Sequence, residues 1–224
     1  MAAGVAVSGA AALAVERLLF RRVYKRPLTF SMVTSFGVLI GGIGVIKFLW
    51  GLVPQPVPAP IDGQLAVLGI GVPQYRLLII GIAAIVYVGI RLFLHRTIIG
   101  KAIRAGVEEL EHVEGLGINV SRIFSIVFVI AGSLSGLAGG LHAPLVMVEP
   151  TMGLDALAFV FMVVIIGGLG SVKGTLVSAI LIGQAVSVVS LFYAPLAQAA
   201  PFVIMLLVLL IKPTGLYGAA LARR

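Results

Sequence analysis

Few residues in this chain could do acid–base chemistry, for it holds only eight carboxylates. Four of them, Glu108, Glu109, Glu111 and Glu114, stand together inside GKAIRAGVEELEHVEGLGINVSR, residues 100–122. Glu149 and Asp155 flank EPTMGLD, where Asp155 is placed to cap the helix that follows. General acid–base or nucleophilic catalysis needs a carboxylate, histidine or hydroxyl set against a partner, and no such pairing is legible. His142 ends an apolar stretch and reads as an interfacial histidine, not as a ligand or proton relay. GGLGSVKGT, Gly167 to Thr175, has the glycines of a phosphate loop but not its order. In that loop Ser or Thr directly follows the lysine, whereas Gly174 intervenes here between Lys173 and Thr175. A tight turn is the expectation. The absence of cysteine excludes disulfides, zinc–thiolate sites and a thiol nucleophile. The residue types therefore point away from an enzyme and from any metal or cofactor.

What could position the acidic island is set by the solvent the chain lives in. Hydrophobic residues fill 60% of the 224 positions and charged residues 11%, with a mean hydropathy of +1.18. Soluble domains run at about 45–50% apolar and about 25% charged, so this chain cannot cover a water-facing surface. The expected fold is all-α, a polytopic helical membrane protein in one membrane domain spanning residues 1–224. Crossing the hydrocarbon takes about 20 apolar residues. Val33–Trp50 with its leader from Leu28, Leu77–Leu94, Ile123–His142, Ala156–Gly170, Thr175–Tyr193 and Pro201–Ile211 give six spans. The Ala156 and Pro201 segments are short and call for tilting or a broken helix. Ala2–Val15 reads as a shortened first span. No other acid falls within a span, which leaves a proton- or sodium-coupled mechanism without buried carboxylates.

Lysine and arginine orient the bundle. On an alternating path, every basic residue except Lys47 and Arg76 falls on one side. The opposite loops, 51–75, 143–155 and 194–200, hold none. Basic loops are cytoplasmic, so the N-terminus is expected outside and the C-terminus inside. The net charge of +8 then signals membrane topology and not nucleic-acid binding. The proline-rich VPQPVPAPID should be extended, neither helix nor strand, with Trp50 and Tyr75 at the interface on either side.

AGSLSGLAGGLHA places Gly132, Gly136 and Gly140 four residues apart with Ser133 beside them. Small residues at that spacing let a second backbone approach closely. The face either packs helices or lines a translocation path or subunit seam, and Gly167, Gly168 and Gly170 carry the same pair of readings. In the island, Ile99, Ile103, Val107, Leu110 and Val113 form an apolar stripe at helical spacing, with Lys101, Arg104, Glu108 and Glu111 opposite. Gly115 and Gly117 should stop that helix. Its charge order, basic early and acidic late, opposes the helix dipole. Helices lying on anionic lipid are rich in Lys and Arg, so the late acids favour a protein partner instead.

RTIIGKAIRAGVEELEHVEGLGINVSR, EPTMGLDALAFVFMVVIIGGLGSVKGT, ERLLFRRVYKRPL and the terminal LLIKPTGLYG together resemble the permeases of branched-chain amino acid ABC importers, of the first permease type. The resemblance runs from about Ala11 to Gly218. It implies a bacterial inner-membrane subunit that pairs with a second, paralogous permease, two cytoplasmic ATPases and a periplasmic amino-acid-binding protein. It also implies that the loop 98–119 carries a coupling helix seated on an ATPase, with Arg104, Glu108, Glu109, Glu111, Gly117, Ile118 and Asn119 as its contact residues. The chain departs from the family in having GVEELEHVEG where an alanine-rich stretch is usual. Such permeases also begin with further membrane segments ahead of Ala2–Val15. Two alternatives follow: a truncated, non-transporting membrane scaffold, or a permease for urea or short-chain amides.

Overall fold

The computed structural model describes residues 2–24, 26–61, 63–67, 70–108 and 119–218. Two compact units divide the chain, Met1–Pro150 and Thr151–Arg224. In the first, α1 (Ala2–Leu18) leads through a 3₁₀ turn (Phe20–Arg22) to α2 (Leu28–Trp50). A hairpin of β1 (Gln64–Val67) and β2 (Ile70–Pro73) follows, and then come α3 (Gln74–Arg96), α4 (Ile98–Glu108) and α5 (Val120–His142). The second unit contains α6 (Met152–Gly167), α7 (Val172–Phe192), the single turn α8 (Ala194–Ala197) and α9 (Ala200–Ile211). Among the described residues, five helical stretches are long and apolar enough to cross a membrane, while α6 and α9 are shorter. The all-α, polytopic membrane character read from composition stands.

Four expectations need correction. The first segment does not stop at Val15: α1 runs to Leu18, and the 3₁₀ turn carries the helical stretch to Arg22, 21 residues in all. Glu16, Arg17 and Leu18 are good helix formers, and the combined stretch is long and apolar enough to cross the hydrocarbon. The proline stretch is extended but not wholly without strand pairing, since Gln55 within it takes part in a bridge, and a hairpin follows it. β1 and β2 pair antiparallel in the register Gln64 with Pro73 and Val67 with Ile70, and an isolated bridge joins Gln55 to Val148. Tyr75 is not an interfacial anchor: it is buried, and its hydroxyl donates to the Leu141 carbonyl at 2.8 Å. Asp155 lies in the first turn of α6 rather than at its cap, which is Thr151, so it can act only on the helix dipole.

The α3–α4 elbow follows from two residues. The Thr97 hydroxyl donates to the Phe93 carbonyl at 2.7 Å, closing α3, and accepts from the Gly100 amide at 2.9 Å, opening α4. One side chain thus satisfies an orphan group of each helix. Gly100 sits so close to Leu94 that an added Cβ would lie 2.6 Å from its Cα. Only glycine lets the chain fold back this tightly.

The second unit is built around Met162, Ile166 and Ile182, all buried. Ser178 of α7, fully buried, sets its hydroxyl 2.6 Å from the Val163 carbonyl of α6. The segment after α9 then returns to the end of α6, where the Leu216 and Tyr217 amides donate to the Ile166 and Gly167 carbonyls at 2.8 and 3.0 Å. Gly168 (φ 95°) and Gly170 (φ 82°) make the left-handed turn between α6 and α7.

These geometries set two expectations. Gly168→Ala forces a Cβ onto the Gly218 backbone as well as into a left-handed conformation, whereas Gly170→Ala meets open space and incurs only the conformational cost, about 1–2 kcal/mol. Thermal unfolding in detergent should rank Gly168→Ala well below Gly170→Ala. Thr97→Ala should cost about 1 kcal/mol and speed amide exchange in the first turn of α4, while Thr97→Ser should not.

Candidate functional site

α1 and α5 pack antiparallel along their whole length. A Cβ built on Gly132 would lie against Ala12 and 2.9 Å from the Ser8 carbonyl, and one on Gly136 against Ser8 and 2.9 Å from the Gly4 carbonyl. Gly9 faces Ser133 in the same way. Gly132, Ser133 and Gly136 therefore face α1 of the same chain, and Gly140, one turn on, is half-buried. Farther along, Phe20 meets Phe128 with ring centroids 5.0 Å apart, and Tyr24 stacks on Phe124 at 4.6 Å.

Glu16 closes this seam, and the sequence did not reveal it. Followed by Arg17, it reads as the start of a basic loop. The structure instead places it within α1 and fully buried. Its two oxygens accept from the Tyr24 hydroxyl at 3.1 Å and the Ser125 hydroxyl at 2.8 Å. The expectation that helices carry no buried carboxylate is therefore overturned. The usable signal was helical continuity through ALAVERLL, which carries Glu16 round onto the face of Ala12 and Gly9. Burial, and then the bond to Glu16, push the Tyr24 hydroxyl above its ordinary pKa, so it remains a donor throughout the neutral range.

Beside the seam, at the end of α1 and the start of α5, lies a groove of about 460 Å³. Arg17, Arg21 and Arg122 line it together with Asn119, whose side chain caps α5 by accepting from the Arg122 amide at 3.1 Å. A second cleft, of about 480 Å³ and apolar, lies between α3 and α5, where Ile103 of α4 meets Phe93, Leu94 and Ile130. Of the α4 stripe, Ile103 lines this cleft, while Ile99, Lys101 and Arg104 are exposed. Glu109, Glu111, Glu114, Gly115, Gly117 and Ile118 lie outside the described residues. Gly167, Gly168 and Gly170 sit in the second unit. Gly167 is pressed against Gly174, Gly168 against Gly218, and Gly170 has open space beside it. Among the described residues no group of acids and histidines could hold a metal.

Truncating Glu16 removes the acceptor of the Tyr24 hydroxyl and one of the two acceptors of the Ser125 hydroxyl, which keeps the Ser121 carbonyl at 3.1 Å; the loss of such bonds costs about 1–3 kcal/mol. Glu16→Ala should lower the melting temperature in detergent markedly. Glu16→Gln, which keeps one carbonyl oxygen, should lower it less, and Tyr24→Phe less still. Equal loss in all three would show that the bonds contribute nothing.

Residues 1–211 match the family model described as branched-chain amino acid transport system / permease component. The high-affinity branched-chain amino acid transport system permease protein BraD of Pseudomonas aeruginosa is 26% identical, covering 97% of this chain and 73% of that protein. The corresponding LivH of Escherichia coli is 24% identical over 96% of this chain and 72% of its own length. The ribose import permease protein RbsC of Haemophilus influenzae is 38% identical, over 52% of this chain and 36% of its own. No solved structure matches. These relatives are transport permeases and not enzymes, and the family match over residues 1–211 takes in the seam, the α3–α4 elbow and the glycine turn alike. A multi-pass membrane chain with that architecture, matched over nearly its whole length, belongs to the branched-chain amino acid transport permease family.

Proposed function

We propose that this chain is the first-type permease subunit of an ATP-driven importer of branched-chain or related small amino acids in a bacterial inner membrane, its residues forming one transmembrane domain. The observation that carries the substrate class is coverage. BraD and the Escherichia coli LivH, named for branched-chain amino acids, match 96–97% of the chain, whereas the ribose permease matches 52%. The N-terminus faces outward and the C-terminus inward, as the distribution of basic residues favours.

Energy comes from two partner ATPases, which dock on the loop 98–119 through Arg104, Glu108, Glu109, Glu111 and the turn Gly117–Ile118–Asn119. Two features support this reading. α4 is amphipathic and joined to α3 by a rigid elbow, so force applied to it reaches the membrane helices through Thr97 and Gly100. The acids late in the island's sequence, Glu108 to Glu114, would be repelled by anionic lipid, which favours protein docking as their use. A second permease and a periplasmic binding protein complete the assembly. α2 suits the former, since none of its described residues is fully buried by this chain and open space lies above Gly37, Gly41 and Gly44.

The test is co-expression with a candidate ATPase subunit of a branched-chain amino acid importer. Wild-type chain should co-purify with the ATPase, and the double variant Glu108→Lys/Glu111→Lys should lose it while its melting temperature stays unchanged. Retained ATPase would sink the docking assignment. In proteoliposomes the full assembly should take up leucine only with ATP inside and binding protein outside. Assembly without uptake would favour the scaffold reading.

A further inference from the structure

The groove between the end of α1 and the start of α5 has a polarity gradient that amino acid transport does not explain. At its mouth are three guanidinium groups, Arg17 and Arg21 from one helix end and Arg122 from the other, all exposed. Arg17 lies in α1 and Arg21 in the 3₁₀ turn that follows it, and both line the groove. Ser121 adds a hydroxyl, and the N-terminus of α5 adds the positive end of its dipole. Glu16, beside Arg17 in sequence, has both oxygens engaged by Tyr24 and Ser125.

Deeper in, the wall changes character. Leu13 lies one turn before Arg17, and Ile126, Val129 and Ile130 lie one to two turns beyond Arg122. Because α1 and α5 are antiparallel, both sets recede in the same direction, away from the arginines and along the apolar helices.

We propose that this groove is a binding site for an anionic phospholipid. The phosphate sits among Arg17, Arg21 and Arg122, and an acyl chain lies along Leu13, Ile126, Val129 and Ile130. Basic pockets between membrane helices hold the headgroups of anionic lipids in this way. A free phosphate ion would use the mouth and leave the apolar wall without a purpose. A zwitterionic lipid carries its own cation into a site that already has three. An anionic diacyl lipid fits both ends, and by bridging Arg17 to Arg122 it would brace the same seam that Glu16 braces from within.

The test is native mass spectrometry on the purified, delipidated full chain, titrated in parallel with phosphatidylglycerol, phosphatidylcholine and inorganic phosphate. Wild type should retain phosphatidylglycerol about tenfold or more better than phosphatidylcholine, and millimolar phosphate should not displace it. Arg17→Gln/Arg21→Gln/Arg122→Gln should reduce phosphatidylglycerol to the phosphatidylcholine level, whereas the triple change to Lys should keep most of it. If the triple Gln variant does not fold, Arg21→Gln alone, beyond the end of α1, should give a partial loss. Equal retention of the two lipids by wild type, unchanged binding by the Gln variants, or displacement by phosphate alone would overturn the proposal.

Discussion

Inside a bilayer no water is available to a backbone amide or carbonyl, so a helix end at membrane depth has to be satisfied by the chain's own residues. The second unit shows the solution most plainly. α6 ends with carbonyls that would otherwise have no partner, and the strand of chain after α9 supplies the Leu216 and Tyr217 amides to them. Glycine is required at the turn because two backbones meet there with no room for a Cβ. Ser178 and Tyr75 serve the same constraint elsewhere, each sending a hydroxyl to a carbonyl of a neighbouring helix. Thr97 does so for two helices at once.

The α1–α5 seam turns this constraint into rigidity. Hydrophobicity cannot drive two apolar helices together in lipid, so contact must come from close packing and hydrogen bonds. Gly9, Gly132 and Gly136 supply the packing, and Glu16, Ser125 and Tyr24 supply the bonds. A buried carboxylate is costly unless its partners are fixed, and the stacking of Tyr24 on Phe124 fixes one of them. The pair forms a stiff element beside the α3–α4 elbow. A permease that is moved from one side by an ATPase needs such elements, since soft helices would absorb the motion instead of passing it on.

Much of this architecture could be read without coordinates, and the failures have a common cause. Membrane class, the short sixth and last helices, the glycine turn that is not a phosphate loop, and the amphipathic start of the charged island all follow from composition and spacing. The errors arose where a local signal was overruled by a contact distant in sequence. Glu16 looks like part of a basic loop until Ser125, 109 residues later, is brought against it. Tyr75 looks like an interfacial aromatic until the Leu141 carbonyl comes within reach. Asp155 looks like a cap, although the helix starts one turn earlier.

By itself, then, the sequence determined the solvent, the helical class and the segments that must be apolar, because these depend on composition and on periods of a few residues. It also marked Gly132, Ser133 and Gly136 as a face that another backbone could approach. Only the tertiary structure decided which backbone that is, that a carboxylate lies buried in the seam, and that three arginines from two distant segments share one groove. Those outcomes depend on which helix lies beside which, and the partner of a small-residue face is not encoded in the face itself.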